Sequence, residues 1–202
     1  MIVVTVIGIG TAMSASGIGE AFSDNRALRA SRELVRIGRR AKAETMGYMR
    51  AHLVWIEPAQ NRVSLIRGTG WSCTNENWSA RLALGPCRGA GASPTPVPCI
   101  DQVDFQEGNT GNDDANWPSV AFVSGSPASY DSTSAANTAI CYAPSGRMFS
   151  DQGANLAALT LSEANVRNGG FVFAVRRLSD GTQWGQSRWV LFPQGAPPRL
   201  MR

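Results

Sequence analysis

The chain has 202 residues, 43% of them hydrophobic and 17% charged, which is apolar material enough for one ordinary domain plus an appendage and excludes wholesale disorder. Its 19 basic residues against 15 acidic ones give a net charge of +4, and every basic residue except Lys42 is arginine. That balance permits contact with nucleic acid without demanding it.

The opening, MIVVTVIGIGTAMSASGIGE, carries no charge from Met1 to Gly19. Val3 to Ile7 followed by Gly8-Ile9-Gly10 has the outline of a dinucleotide-binding turn. The third small residue, which lets the helix pack close to the strand, is however Met13, and Asn25 to Arg40 has helical spacing where a second strand ending in an acidic residue belongs. A membrane-spanning or helix-packing segment fits better. Ile2, Val3, Val4, Val6, Ile7 and Ile9 supply an apolar surface, while Gly8, Gly10, Ala12, Ala15, Gly17 and Gly19 let neighbouring backbones approach. The strongly apolar part ends at Met13, so the span is short on its own. A cleaved secretory signal would need a basic stretch ahead of its apolar core, and none precedes Ile2.

Helical periodicity continues downstream. Ala27, Ala30, Leu34, Ile37, Ala41 and Tyr48 fall at spacings of three, four and seven and form one apolar stripe, with Arg29, Arg32, Arg36 and Arg39 on the other side. The expected helix reaches to about Met49 and packs its stripe, Leu34, Ile37, Ala41 and Tyr48, against a sheet. Arg40 and Glu44 are placed for an i, i+4 contact. The arginine face suits a phosphate, an acidic neighbour or plain solvent.

Beyond Ala51 the pattern changes to strands. His52 to Ile56 and Arg62 to Ile66, around a turn containing Pro58, predict a β-hairpin, and Val120 to Val123, Ala139 to Ala143, Phe171 to Arg176 and Arg188 to Phe192 are further strand candidates. The stretches GAGASPTPVPC and GNTGNDDANWPS predict long surface loops. The expected fold is α+β: a long N-terminal helix packed on a mostly antiparallel β-sheet head, divided as 1–24 apolar segment, 25–50 amphipathic continuation and 51–202 β-rich head.

Cys73, Cys87, Cys99 and Cys141 include no C-x-x-C pair, and the single histidine, His52, is distant from them in sequence, so a zinc cluster lacks its usual spacing. Two disulfides fit better and imply an oxidising compartment; the alternative is buried free thiols in a reducing one. Three pairings exist, and closing the shorter loops, Cys73 with Cys87 and Cys99 with Cys141, is the simplest expectation. Catalysis has little to draw on, since a nucleophile, base and orienter must converge and His52 is the only imidazole. Asp101, Asp104, Glu107, Asp113 and Asp114 are oxygen donors of the kind calcium selects, but without EF-hand spacing they read as solvated loop carboxylates. The residues point to no cofactor and no metal. Asn77-Trp78-Ser79 has the form of a glycosylation sequon, to which no function attaches.

Particular residues carry a resemblance to a known family. Met1-Ile2-Val3-Val4-Thr5-Val6-Ile7-Gly8-Ile9 looks like the interior of a type IV pilin N-terminal helix, and NRALRASRELVRIGRRAKAETM, from Asn25, resembles the GspH/FimT-like branch, with Ala41-Lys42-Ala43-Glu44 in place of A-R-S-E. AICYAPSGRM, Ala139 to Met148, is similar to that branch's later strand and Gly-Arg turn. Members of that family carry a basic leader, a Gly cleavage point and a Glu five residues into the mature chain, so the resemblance implies about six mature residues ahead of Met1, which would extend the apolar helix to about 25 residues.

The resemblance further implies a minor pilin or minor pseudopilin without catalytic activity. It is inserted once in a bacterial inner membrane with a periplasmic head, then packed through its N-terminal helix against major and minor pilins by an inner-membrane assembly platform, and ends at the cell surface near a pilus tip. The arginines after the span favour a cytoplasmic flank by the positive-inside rule, against the export that the cysteines imply; a basic leader would restore the balance. Trp71, Trp78, Trp117, Trp184 and Trp189 are candidates for subunit contacts, or else for core and lid positions. FimT-like relatives include DNA-binding competence pilins, for which Arg199, Arg202 or the helix arginines would grip phosphates, although the tail APPRLMR lacks a dense basic motif.

Overall fold

A computed structural model of the chain describes residues 28–57, 62–82, 98–104, 120–125, 137–152, 159–163, 171–179, 182–193 and 195–201. The apolar opening with Ile2, Val3, Val4, Val6, Ile7, Gly8, Ile9 and Gly10 lies outside these residues, as do Cys87 and the body of both Gly/Pro/Asn-rich loops. Among the described residues no helix is long and apolar enough to cross a membrane.

The helix α1 occupies residues 28–48. Nine strands follow among the described residues: β1 (His52–Glu57), β2 (Arg62–Arg67), β3 (Cys99–Asp104), β4 (Val120–Gly125), β5 (Thr138–Tyr142), β6 (Met148–Gln152), β7 (Phe171–Ser179), β8 (Thr182–Phe192) and β9 (Arg199–Met201), with a short helix α2 (Trp78–Leu82) after β2. They form a five-stranded sheet of order β3-β2-β1-β5-β6 and a four-stranded sheet of order β4-β7-β8-β9, and every pairing between them is antiparallel. The chain is thus α+β, with α1 packed on antiparallel sheets.

One core joins α1 to both sheets. Ala30, Leu34, Val35, Ile37 and Ala41 of α1 meet Val54, Ile56, Val63, Leu65, Ile140, Tyr142 and Met148 of the five-stranded sheet and Phe173, Val175, Val190 and Phe192 of the four-stranded one. The alternation of side chains along a strand sends Leu53 and Trp55 the opposite way, into a second cluster with Ile66, Cys73, Trp78, Ala139, Cys141 and Leu161. The five-stranded sheet is therefore covered on both faces, which is why β1 and β5 read as almost continuous apolar runs. At Gly38 the helix comes close to the four-stranded side: a Cβ there would stand 2.6 Å from Phe192 Cε1 and 2.7 Å from Pro198 Cγ.

The expected stripe holds at Leu34, Ile37 and Ala41, all fully buried, but Tyr48 is 59% exposed. Helical spacing carries the stripe one turn beyond the place where the sheets stop, and the ring there instead receives the Arg67 guanidinium 4.6 Å from its centroid.

The short-loop disulfide pairing is also corrected: Cys73 bonds Cys141, across a sequence separation of 68. Register explains the choice. Cys99 faces Ile66, Ile66 faces Leu53 and Leu53 faces Cys141, so Cys99 and Cys141 stand three strand spacings apart in one row, about 14 Å, well beyond disulfide reach. Cys73, in the segment that folds back over this face, has its Cα 5.9 Å from that of Cys141. Cys99 is disulfide-bonded as well.

Candidate functional site

The outward side of α1 is built by its own periodicity. With one face consumed by the core, Arg29, Arg32, Arg36, Arg39 and Arg40 all project into solvent. Some of this charge is neutralised locally. Arg36 donates from Nε to Glu33 at 2.6 Å and from NH1 to Asp101 Oδ2 at 2.7 Å, while Arg40 NH1 reaches the same Asp101 oxygen at 2.8 Å. Asp101 belongs to edge strand β3, so one carboxylate clamps the sheet edge to two turns of the helix. Partial burial raises the Asp101 pKa, but the hydrogen bonds and charges of Arg36 and Arg40 outweigh it and hold the carboxyl below its ordinary value. The Arg36 guanidinium is held further toward its charged form, chiefly by Asp101. The anticipated Arg40–Glu44 contact is long, at 3.5 Å.

On its other flank α1 meets the C-terminal segment. Arg39 donates to the Pro198 carbonyl at 3.1 Å and Lys42 to that of Gly195 at 2.7 Å, tying the helix to the chain that leads into β9. Between them lies an open groove of about 440 Å³ lined by Arg32, Val35, Arg36, Arg39 and Leu200. Among the described residues Arg32 and Arg39 have no carboxylate partner. The groove combines a guanidinium rim with an apolar floor of Val35 and Leu200.

The C-terminal end of α1 is different in kind. Met46, Tyr48, Met49 and Trp71 are the large hydrophobic side chains most exposed among the described residues, Trp71 at 72%. Ala51 donates to the Gly70 carbonyl and Gly68 to that of Ala51, both at 2.8 Å, which brings residues 68–71 beside the helix end. Met49 ends the helix at φ 53°, a left-handed position that favours glycine. Behind this end, Glu76 accepts the amides of Thr69 and Gly70 at 2.9 and 3.0 Å, the Thr69 hydroxyl at 2.8 Å and Arg81 Nε at 3.3 Å. Burial pushes the Glu76 pKa up, yet these donors more than offset it and the carboxyl lies below its ordinary value.

His52 is fully buried at the base of the same end. Its Nδ1 stands 2.9 Å from the Arg50 carbonyl and 3.1 Å from Thr45 Oγ1, whose own proton goes to the Ala41 carbonyl at 2.7 Å. Nδ1 therefore carries the ring hydrogen, and Nε2 is a buried acceptor with no partner among the described residues. Burial pushes the imidazole below its ordinary pKa; the bond to Arg50 opposes this and the charge of Arg67 adds to it. A neutral imidazole whose one N–H is committed to backbone locks the turn between α1 and β1.

The tryptophans divide. Trp71 is exposed, whereas Trp78 is a buried lid whose indole N–H donates to the Cys73 carbonyl at 2.9 Å; Trp189 is half-buried, and the side chains of Trp117 and Trp184 lie outside the described residues. Asn77 of the sequon accepts the Ala80 amide at 3.0 Å and so caps α2. Of the acidic run, Asp101 is spent on arginines, and Asp104, Glu107, Asp113 and Asp114 lie outside the described side chains, as does Arg202. Among the described residues no group of three or more His, Cys, Asp or Glu could hold a metal ion. Val35, Leu200, Met46, Met49 and Glu76 were not candidates from sequence; the only advance signal was two methionines at a helix end, where a core pattern should have faded. No family model, no curated protein and no solved structure matches the chain.

Proposed function

We propose that this chain is a minor subunit of a type IV pilus-type filament, or of the related type II secretion pseudopilus, with a structural rather than catalytic task. The observation that carries the reading is a division of labour along the sequence. Residues 28–48 spend one face on a core shared with two antiparallel sheets, and the uncharged run Met1 to Gly19 precedes them in the chain. A rod of this kind has two solvents. In a bilayer its apolar residues Ile2, Val3, Val4, Val6, Ile7 and Ile9 face lipid; in a filament the glycines at 8 and 10 allow close approach to like helices, so transfer between the two costs little solvation and gains van der Waals contact. The Cys73–Cys141 bond supports a head that matures in an oxidising compartment. In this reading the inner membrane holds the chain before assembly, and other pilins and the assembly platform are its partners.

The test follows the rod. An Ile7→Asp substitution places a charge in the segment that must enter both lipid and helix bundle, at about 2.5–3.5 kcal/mol near a bilayer centre. The chain should then vanish from the sheared surface-filament fraction. Recovery of the wild-type chain from the cytosol alone, with both cysteines reduced, overturns the proposal.

A further inference from the structure

The groove beside α1 has properties a merely solvated arginine face would not need. Arg32 and Arg39 stand seven residues apart, about 10 Å along the helix axis, with no carboxylate partner among the described residues, and Val35 and Leu200 form an apolar floor between them. A guanidinium pairs best with a carboxylate in a fixed bidentate geometry, and an apolar floor favours an apolar side chain carried alongside.

Two other occupants fit less well. A second copy would bring Arg29, Arg32, Arg36, Arg39 and Arg40 against the same set, and Glu33, Glu44 and Asp101 already pair with arginines of their own chain. A phosphate backbone could reach Arg32 and Arg39 but has no apolar surface to lay on Val35 and Leu200. We infer that this groove docks an acidic helix of a different subunit, one with an apolar ridge over Val35 and Leu200 and carboxylates at i and i+7 facing Arg32 and Arg39. The inference deepens the filament reading by naming the chemistry of the neighbour, and it rests on that reading only for where the neighbour is met.

The full chain, in detergent micelles, is titrated at low salt against two fluorescent helical peptides of about 16 residues with the same leucine ridge, one flanked by Glu at i and i+7 and the other by Lys, with duplex DNA of about 20 base pairs as a third probe. The Glu peptide should bind saturably and the Lys peptide about tenfold or more weakly. Arg32→Glu breaks no hydrogen bond among the described residues and should alone weaken the Glu peptide by about threefold or more. Combined with Arg39→Glu it should reverse the preference toward Lys. Arg50→Glu, at the other end of α1, should leave both affinities unchanged.

Equal binding of the two peptides, indifference to Arg32→Glu, displacement of the Glu peptide by DNA at lower concentration, or self-association of the wild-type chain through this face would each overturn the inference. Peptide discrimination by a chain never found in filaments would retire the filament reading and leave the groove standing. Filament recovery without peptide discrimination would do the reverse.

Discussion

Two helical glycines in α1 give a matched pair of substitutions whose signs the packing predicts to be opposite. Replacing a helical glycine by alanine gains about 1 kcal/mol of helix propensity, because glycine loses more backbone freedom on folding. At Gly47 a new Cβ meets nothing within 4 Å, so the gain stands, reduced to about half by proximity to the helix end at residue 48. At Gly38 it would meet Phe192 Cε1 at 2.6 Å and Pro198 Cγ at 2.7 Å. Neither neighbour yields cheaply: Phe192 is fully buried, with its ring centroid 5.4 Å from Phe173 in an edge-on contact, and Pro198 is a rigid ring whose carbonyl accepts from Arg39. Overpacking costs about 1–3 kcal/mol, and two contacts under 3.0 Å put this case in the upper part of that range, about 2–3 kcal/mol, so Gly38→Ala should be destabilising by about 1–2 kcal/mol after the propensity gain. For a domain of this size that lowers the melting temperature by about 2–8 °C, while Gly47→Ala raises it by about 1–2 °C. Differential scanning calorimetry of the two variants at one pH decides it. A rise in both would mean that α1 does not press on the four-stranded sheet, and the shared core would be wrong.

Other predictions follow from the same contacts. Ile37→Ala, in the fully buried stripe, should cost about 2–5 kcal/mol, whereas Tyr48→Ala should cost less than about 1 kcal/mol; comparable losses in chemical denaturation would contradict the placement of the helix end. Removing the Cys73–Cys141 bond as a double alanine variant releases a loop of sequence separation 68 and should lower stability by about 4 kcal/mol on the chain-entropy account, read as a shift in denaturant midpoint. Because His52 is depressed below its ordinary 6.5 in the folded chain, the unfolded state binds the proton first, so stability falls as pH drops below about 6.5 until the folded imidazole titrates; His52→Asn should flatten that slope in pH-dependent melts. Glu76 and Asp101 are depressed carboxylates, whose contribution is present above their unfolded values and lost as pH falls through their lower folded ones, so Glu76→Gln should shallow the acid limb below about pH 4.5.

Legibility in the sequence tracks how local each determinant is. The hairpin β1–β2 is legible because its apolar runs flank a proline, and the turn at residues 143–147 because it carries a Gly-Arg pair, where Gly146 takes φ 80° and Ala143 donates its amide to the Arg147 carbonyl. Strands β3, CIDQVD, and β6, MFSDQ, are not, since polar residues interrupt both and make contacts remote in sequence, Asp101 with a helix and the buried Ser150 with Ser162. Strand β9 has three residues, too few for any period. The disulfide misleads for a topological reason: β5 lies beside β1, so Cys141 becomes a spatial neighbour of the segment after β2. The arginine face of α1 follows from helical spacing, but the groove requires Leu200 to arrive beside Arg32, a juxtaposition only the tertiary fold creates.

The central claim is that the uncharged opening delivers the folded body across a membrane, and topology tests it most directly. Two fusions to the intact chain after Arg202, one to a phosphatase that matures only outside the cytoplasm and one to a fluorescent protein that matures only inside, should give an active phosphatase and a dark fluorophore. An inactive phosphatase beside a bright fluorophore would contradict the account.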